Sequence, residues 1–277
     1  MKRLLPAWLW LMPFALVFVA FQMAPLGWIA VSAFQVEGSW GLGHFQEIAT
    51  SPFFRQAIWR SLEISLVSSL LGLIIAVLAC HSLTRTSGPL RRWMIAFTNM
   101  TSNFAGVPLA FAFIILMGAN GVLTLALQRV GLIDDFSLYS RTGLIVIYTW
   151  FQIPLGMLLL FPAFAGLRAD WRDAASLLGA GRVAYWCHIG LPVLRPALAG
   201  TFTILIANAM GAYATVYALV NTSYNLMTIR IANLVSGDLF LQPNLASALA
   251  LILVGLLAMV TLIQQWLLRR SHHVAER

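Results

Sequence analysis

The chain has 277 residues, 60% of them hydrophobic and only 9% charged, with a formal net charge of +8. Soluble domains carry roughly 25% charged residues, so the composition excludes a soluble globular protein and indicates a polytopic membrane protein. The basic residues form no single patch and give no basis for a nucleic-acid partner; they fall in short clusters between apolar runs, as orientation signals do.

Lys2 and Arg3 precede an apolar run over about residues 7–34. It is too long for a secretory h-region of roughly 7–15 residues and reads as an uncleaved first transmembrane helix, which Pro13 and Pro25 could kink. Residues 35–60 are polar and aromatic (Trp40, Phe45, Phe53, Phe54, Trp59), as expected of an external segment at headgroup level. The second span covers about residues 62–83. Glu63 at its outer end is expected to pair with Arg60, and His81 at its inner end to snorkel or be bonded. Arg85, Arg91 and Arg92 mark the following loop, which turns at Gly88-Pro89.

The third span, about residues 93–118, is polar early on, with Asn99, Thr101, Ser102 and Asn103 before Gly106 and Pro108. Polar groups at membrane depth face a bundle interior or a water-filled path, and a Pro-Gly interruption fits a path-lining helix; interhelical hydrogen bonding explains them equally well. An external segment follows, with a short amphipathic helix at Leu123–Val130 and a surface acidic pair, Asp134-Asp135. The fourth span, about 142–167, holds Gln152 and Pro154. The fifth, about 196–220, holds Asn208, Tyr213 and Tyr217, with Gly200 and Gly211 small enough for close helix approach. The sixth covers about 245–268, and a basic tail with His272 and His273 follows. Asn99, Asn103, Gln152, Asn208, Tyr213 and Tyr217 are the candidates for a translocation path. No residue group has metal-ligand spacing.

Basic residues are denser on one side: Lys2 and Arg3; Arg85, Arg91 and Arg92; Arg168, Arg172, Arg182 and Arg195; Arg269, Arg270 and Arg277. Only Arg55, Arg60, Arg129, Arg141 and Arg230 fall on the other. The asymmetry places both termini and the 168–195 loop in the cytoplasm. Cys80 and Cys187 give no disulfide framework. Lys2 is the only lysine, so the sequence holds no Walker A loop, which ends in Gly-Lys-Ser/Thr.

The 168–195 loop carries a helical pattern of its own. Asp170 is expected to cap a helix, with Asp173 as its capping-box partner. Ala174, Leu177 and Leu178 make one apolar stripe. Gly179 supplies a φ > 0 stop and Gly181 a second tight turn. A second short helix, about Arg182 to Ile189, is expected to end at Pro192, and Pro196 to open the next span.

Written out, the stretch is Asp173-Ala174-Ala175, three residues, Gly179, nine residues, Ile189, one residue, Leu191-Pro192. It resembles the EAA loop of binding-protein-dependent ABC importer permeases, the MetI-like superfamily. Asp173 stands for the usual Glu, and Gly181 for the Ser or Thr that often caps the second helix. The segment from Trp40 to Leu62 resembles the external entry segment of the same family. Ala209-Met210-Gly211-Ala212-Tyr213 resembles the polyamine-type branch.

The resemblance implies an all-α, six-helix type I importer permease in a bacterial inner membrane. It implies a second permease, from the branch a different chain, two ABC ATPase subunits that hold the ATP and Mg, and an external solute-binding protein. This chain would be non-catalytic and hold no cofactor. Its loop would be the coupling helix, with Asp173 holding it and pairing with the ATPase. Ala174 and Ala175 would permit close docking, Gly179 would set the angle between the short helices, and Trp186, Ile189, Leu191 and Pro192 would complete the element. The solute implied is polyamine-like, with phosphonate and iron in the wider branch. The alternatives are an ion-coupled secondary transporter, which usually shows in-membrane acids or an inverted repeat, and a membrane-embedded enzyme, which needs a nucleophile–base pair or metal ligands at one depth.

Overall fold

The computed structural model describes residues 7–36, 38–131, 136–221, 223–236 and 241–275, and no side chains at 7–10, 267 and 269–275. Lys2, Arg3, Asp134, Asp135, Asp238 and Arg277, and the side chains of Arg269, Arg270, His272 and His273, therefore lie outside the described residues.

The first apolar run is one helix in two pieces, Ala7–Phe18 (α1) and Ala24–Ala33 (α2), joined by a π turn at Val19–Met23. The π turn ends two residues before Pro25. Proline has no N–H to donate and its ring crowds the carbonyl four residues back, so a wider turn just ahead of it relieves the conflict without ending the helix. A small hairpin follows, Gln35–Val36 (β1) and Ser39–Trp40 (β2), pairing Gln35 with Trp40. Then come Gly43–Thr50 (α3) and Pro52–Arg85 (α4).

Helix α4 begins ten residues before the expected start of the second span, with Pro52 in its first turn, where a missing N–H costs nothing. Its 34 residues reach about 50 Å at 1.5 Å per residue, against about 30 Å of bilayer hydrocarbon. Arg55 and Arg60 occupy the overhang.

The expected third span is broken in the structure. Pro89–Ser102 (α5) ends at Asn103, and Val107–Met117 (α6) starts after Gly106, whose φ of +78° and ψ of −148° suit glycine alone. Apolar length continues from α6 past the turn at Gly118–Gly121 into Val122–Arg129 (α7), so the stretch long enough to cross a membrane is Val107–Arg129. The polar residues 99–103 thus sit at a helix end and not within one continuous span.

Arg141–Ala165 (α8) follows, capped by Ser140, whose Oγ accepts from Gly143 N–H at 3.3 Å. Then come Ala169–Leu177 (α9), Arg182–Tyr185 (α10), Leu191–Gly211 (α11), Ala214–Val220 (α12), Met227–Ser236 (α13) and Pro243–Ala275 (α14). Among the described residues six helical stretches are long and apolar enough to cross a membrane. The fourth, Arg141–Ala165, has 56% of its most apolar window buried, and the first, Leu11–Ala33, has none. Helix α8 is therefore the centre of the bundle, and the N-terminal helix lies at its edge, against α14.

Helix α4 enters all three apolar clusters. Ile64 packs with Leu109, Leu144, Ile147 and Val216; Phe54 and Ala57 pack with Ala33, Ile48, Met227 and Leu249; Ala76, Cys80 and Leu83 pack with Met157, Leu160, Phe164 and Leu194. What lets α4 lie so close to α8 is a buried file of small residues: Ser61, Ser65, Ser68, Gly72, Ala76 and Cys80. A Cβ on Gly72 would meet Gln152 Cβ at 2.6 Å, and one on Gly156 would meet Ala76 Cβ at 3.0 Å. Close approach is how apolar helices gain contact in lipid, where no hydrophobic drive separates them from the tails. The glycines expected to serve this purpose do not. A Cβ on Gly211 would meet nothing within 4 Å, and one on Gly200 only the end of Gln264 at 3.7 Å.

The expected Arg60–Glu63 pair does not form. Glu63 pairs with Arg141 at the start of α8, and Arg60 lies over the Tyr224 ring, 5.0 Å from its centroid. A residue three positions back was the nearest cation in sequence, but the packing of α4 on α8 supplies a nearer one.

Candidate coupling site and membrane path

Helix α9 follows α8 in the chain and precedes α10 and α11. Its N-cap is Arg168 and not Asp170, and no side chain caps it. Asp170 lies in the first turn, where the dipole favours an acid, and accepts from Arg168 Nη2 at 2.7 Å. Both side chains are exposed, and such pairs are worth about 0–1 kcal/mol. Asp173 takes no part in a capping box.

The C-terminal end is well specified. Gly179 has φ +76°, Gly179 N–H donates to Ser176 O at 3.0 Å, and Ala180 N–H to Ala175 O at 2.9 Å. These are the two bonds of a Schellman motif, which satisfies carbonyls a helix end would otherwise leave open. Gly181, by contrast, has φ −70° and ψ 170°, ordinary extended backbone, so no second tight turn needs a glycine there.

Of α9 only Ala175 is buried. Ala174 is exposed, and Leu177, Leu178 and Val183 are 90%, 88% and 78% exposed. Three large apolar side chains in this turn-rich segment thus stand away from their own chain.

Past Gly181 the chain does not stop at Pro192. Helix α10 runs through a π turn, Trp186–Gly190, straight into α11, so that residues 182–211 form one stretch with Pro192 and Pro196 inside it. The π turn again ends two residues before a proline, as it does before Pro25. Half the coupling loop and the start of the fifth span are thus one continuous helical stretch. Trp186 anchors it: its ring meets those of His81 at 5.0 Å, Tyr185 at 5.7 Å and Phe164 at 6.5 Å. Ile189 and Pro192 are half-buried, and Leu191 is exposed. Gly190 lies flat against the indole; a Cβ there would be 2.5 Å from Trp186 Cε3. The family pattern fixes no residue type at position 190. Its only sequence signal was the glycine itself.

The path candidates fall into three pairs, and among the described residues no hydrogen bond or ring contact links one pair to another. Asn99 and Asn103 are exposed, joined by Asn103 Nδ2 donating to Asn99 O at 3.0 Å. Tyr213 and Tyr217 are part-exposed with ring centroids 5.2 Å apart. Gln152 is different. It is fully buried, donates to Ser69 Oγ at 2.9 Å and Leu205 O at 2.6 Å, and accepts from Asn208 Nδ2 at 3.3 Å. It is a polar knot tying α4, α8 and α11, and in this conformation it faces no open surface. Asn208 is its exposed neighbour.

Two helix breaks meet beside these pairs. Gly106 N–H, at the α5–α6 break, donates to Thr215 Oγ1 at 2.9 Å, one turn past the α11–α12 break at Ala212–Tyr213. Tyr148 Oη donates to Ala212 O at 3.3 Å from the neighbouring α8. Non-helical backbone at membrane depth needs such partners or a wet cavity. Gly106 and Tyr213 were visible as sequence features; Thr215 and Tyr148 as their supports were not. Among the described residues no three His, Cys, Asp or Glu side chains cluster as metal ligands would.

The profile of the family described as "Binding-protein-dependent transport system inner membrane component" matches residues 68–273. The chain belongs to that family. Among curated members, the chain is 24% identical to the sulfate transport system permease protein CysW of Escherichia coli K12, over 70% of this chain and 64% of the relative. It is 25% identical to the thiamine permease protein ThiP of the same strain, over 76% of this chain and 39% of the relative. It is 27% identical to the diacetylchitobiose uptake permease protein NgcG of Streptomyces coelicolor, over 68% and 60%. The match thus spans less than two thirds of each of these relatives.

Among solved structures, a bacterial ABC transporter that imports alginate superposes with a TM-score of 0.75 at 19% identity, over 95% of this chain and 94% of that one. An inward-facing structure of the MetNI methionine transporter gives 0.62 at 17% identity, over 80% and 99%. These two establish the permease fold. The polyamine-type branch is not specifically supported: the relatives above carry sulfate, thiamine and sugar names.

Proposed function

We propose that this chain is the membrane-spanning permease subunit of an ABC importer, multi-pass in a bacterial inner membrane. The observation that carries the proposal is the exposed Leu177–Leu178–Val183 knob, held by the Schellman turn at Gly179 and followed by a helical stretch that runs from α10 into α11. A knob of that kind, on a lever continuous with a membrane span, transmits motion from a docked partner into the bundle. The partner proposed is an ABC ATPase that binds ATP and Mg, with the knob seated in its cleft. Family membership supports this reading.

The remaining assembly follows from the same reading: a second permease, a different chain, and an external solute-binding protein that delivers the solute. Alternating access would then rock the two helix breaks at Asn103–Gly106 and Ala212–Tyr213, with Asn99, Asn103, Asn208, Tyr213 and Tyr217 on the path. The termini and the knob would face the cytoplasm, on the side where the basic loops accumulate. The relatives' names range over an oxyanion, a vitamin and sugars, so the solute is selected by the binding protein more than by this chain. Nothing in the comparisons favours polyamine, phosphonate or iron.

The test is ATP hydrolysis by the assembled complex in lipid, with and without binding protein, for the native chain and Gly179→Asp. Stimulation of the native complex and an assembled but unresponsive variant supports coupling through this turn. A chain that takes up solute with no ATPase present would instead favour ion-coupled transport and sink the proposal.

A further inference from the structure

Beside the exposed knob, α9 borders a recess between its own arginines and those of α4 and α10. Arg172 and Ser176, one turn apart on α9, line a cavity of about 330 Å³ together with Asp173, Arg85 and Arg182. An adjoining cavity of about 410 Å³ shares Arg85 and Arg172 and adds Arg168. Tyr185 and Trp186 line both. Four guanidiniums from α4, α9, α10 and the α8–α9 junction thus surround one aromatic-floored recess. Only Arg168 has a carboxylate partner, the exposed Asp170; Arg85, Arg172 and Arg182 have no ion pair among the described residues. Asp173 is the one acid lining the recess and leaves an excess of positive charge there. Tyr185 is only 7% exposed, and its hydroxyl makes no hydrogen bond among the described residues.

We propose that this recess binds a phosphate group, with Arg85, Arg172 and Arg182 neutralising it and Tyr185 Oη donating to it. Guanidinium forks match phosphate oxygens in pairs, and a basic pocket between membrane helices is a recognised setting for an anionic lipid headgroup. Its place at the ends of α4 and α8, two membrane-spanning stretches, favours a lipid phosphodiester; a soluble phosphate has the same chemistry. Bound there, the anion would brace α9 against α4 and α10 while the knob faces its partner. The site rests on the cavity and its charges alone, and it stands or falls separately from docking of an ATPase.

The full-length chain is purified in mild detergent, without ATPase. Native mass spectrometry then counts lipids retained from an equimolar mixture of dioleoyl phosphatidylglycerol and dioleoyl phosphatidylcholine. In a lipid-free arm, thermal stability is read with and without millimolar inorganic phosphate. Arg85→Gln/Arg172→Gln is compared with Arg129→Gln, an exposed arginine at the far end of α7; if the double variant is not monodisperse, Arg172→Gln alone is read. Preferential retention of phosphatidylglycerol, weakened roughly fivefold per charge removed and unchanged in Arg129→Gln, supports a lipid headgroup. Stabilisation by inorganic phosphate in the native chain but not in the double variant supports a soluble phosphate. Equal retention of the two lipids together with no phosphate effect, or a double variant that behaves as native, overturns the site.

Discussion

Gly190 rests against the indole of Trp186, and no side chain fits between them: a Cβ would stand 2.5 Å from Cε3 and 2.9 Å from Cζ3. The indole cannot yield easily, because His81, Phe164 and Tyr185 hold its other faces. Gly190→Ala is therefore expected to destabilise the chain by about 1–3 kcal/mol, as overpacking does. Thermal denaturation in detergent reads it. Trp186→Phe should relieve the clash, so the double variant should lose less than the sum of the singles; strict additivity would argue against the contact.

Gln152 is expected to matter for stability and not for solute affinity. Gln152→Leu leaves Ser69 Oγ and Leu205 O without their buried partner, at a cost of about 1–3 kcal/mol. A lowered melting temperature with an unchanged KM for the delivered solute fits the knot. A shifted KM with native stability would place Gln152 on the path.

The knob should behave in the opposite way. Leu177→Asp with Leu178→Asp changes side chains that are 90% and 88% exposed, so stability should move by no more than about 0.5 kcal/mol for each change. Copurification with the ATPase should be lost. Retained ATPase with a normal stimulated rate would show that the partner docks elsewhere.

The Glu63–Arg141 pair joins α4 to α8 at the surface, with side chains 26% and 57% exposed. Its coupling energy in a double-mutant cycle should be below about 1 kcal/mol and should shrink with salt. Arg60→Gln should not change that coupling, since Arg60 faces Tyr224.

Much of this protein is written in local patterns. The apolar runs, the basic clusters between them, and the helix that ends at Gly179 each depend on residues within a turn or two. Chemistry over so short a range survives any tertiary arrangement: a helix in lipid must satisfy its own backbone, and a φ of +76° needs glycine wherever it occurs. The family pattern at Asp173–Pro192 belongs to this class as well.

What the tertiary structure alone decided concerns contacts between residues far apart in sequence. Pro192 looked like a stop, but a π turn anchored by Trp186 carries the helix through it. Arg60 looked like the partner of Glu63, but Arg141 on another helix lies nearer. Gln152 was a path candidate by its polarity, and its bonds to Ser69 and Leu205 come from the fold. In each case the outcome turns on which faces of two helices meet. For Gln152 that depends on the file of small residues from Ser61 to Cys80, which sets the distance of approach between α4 and α8.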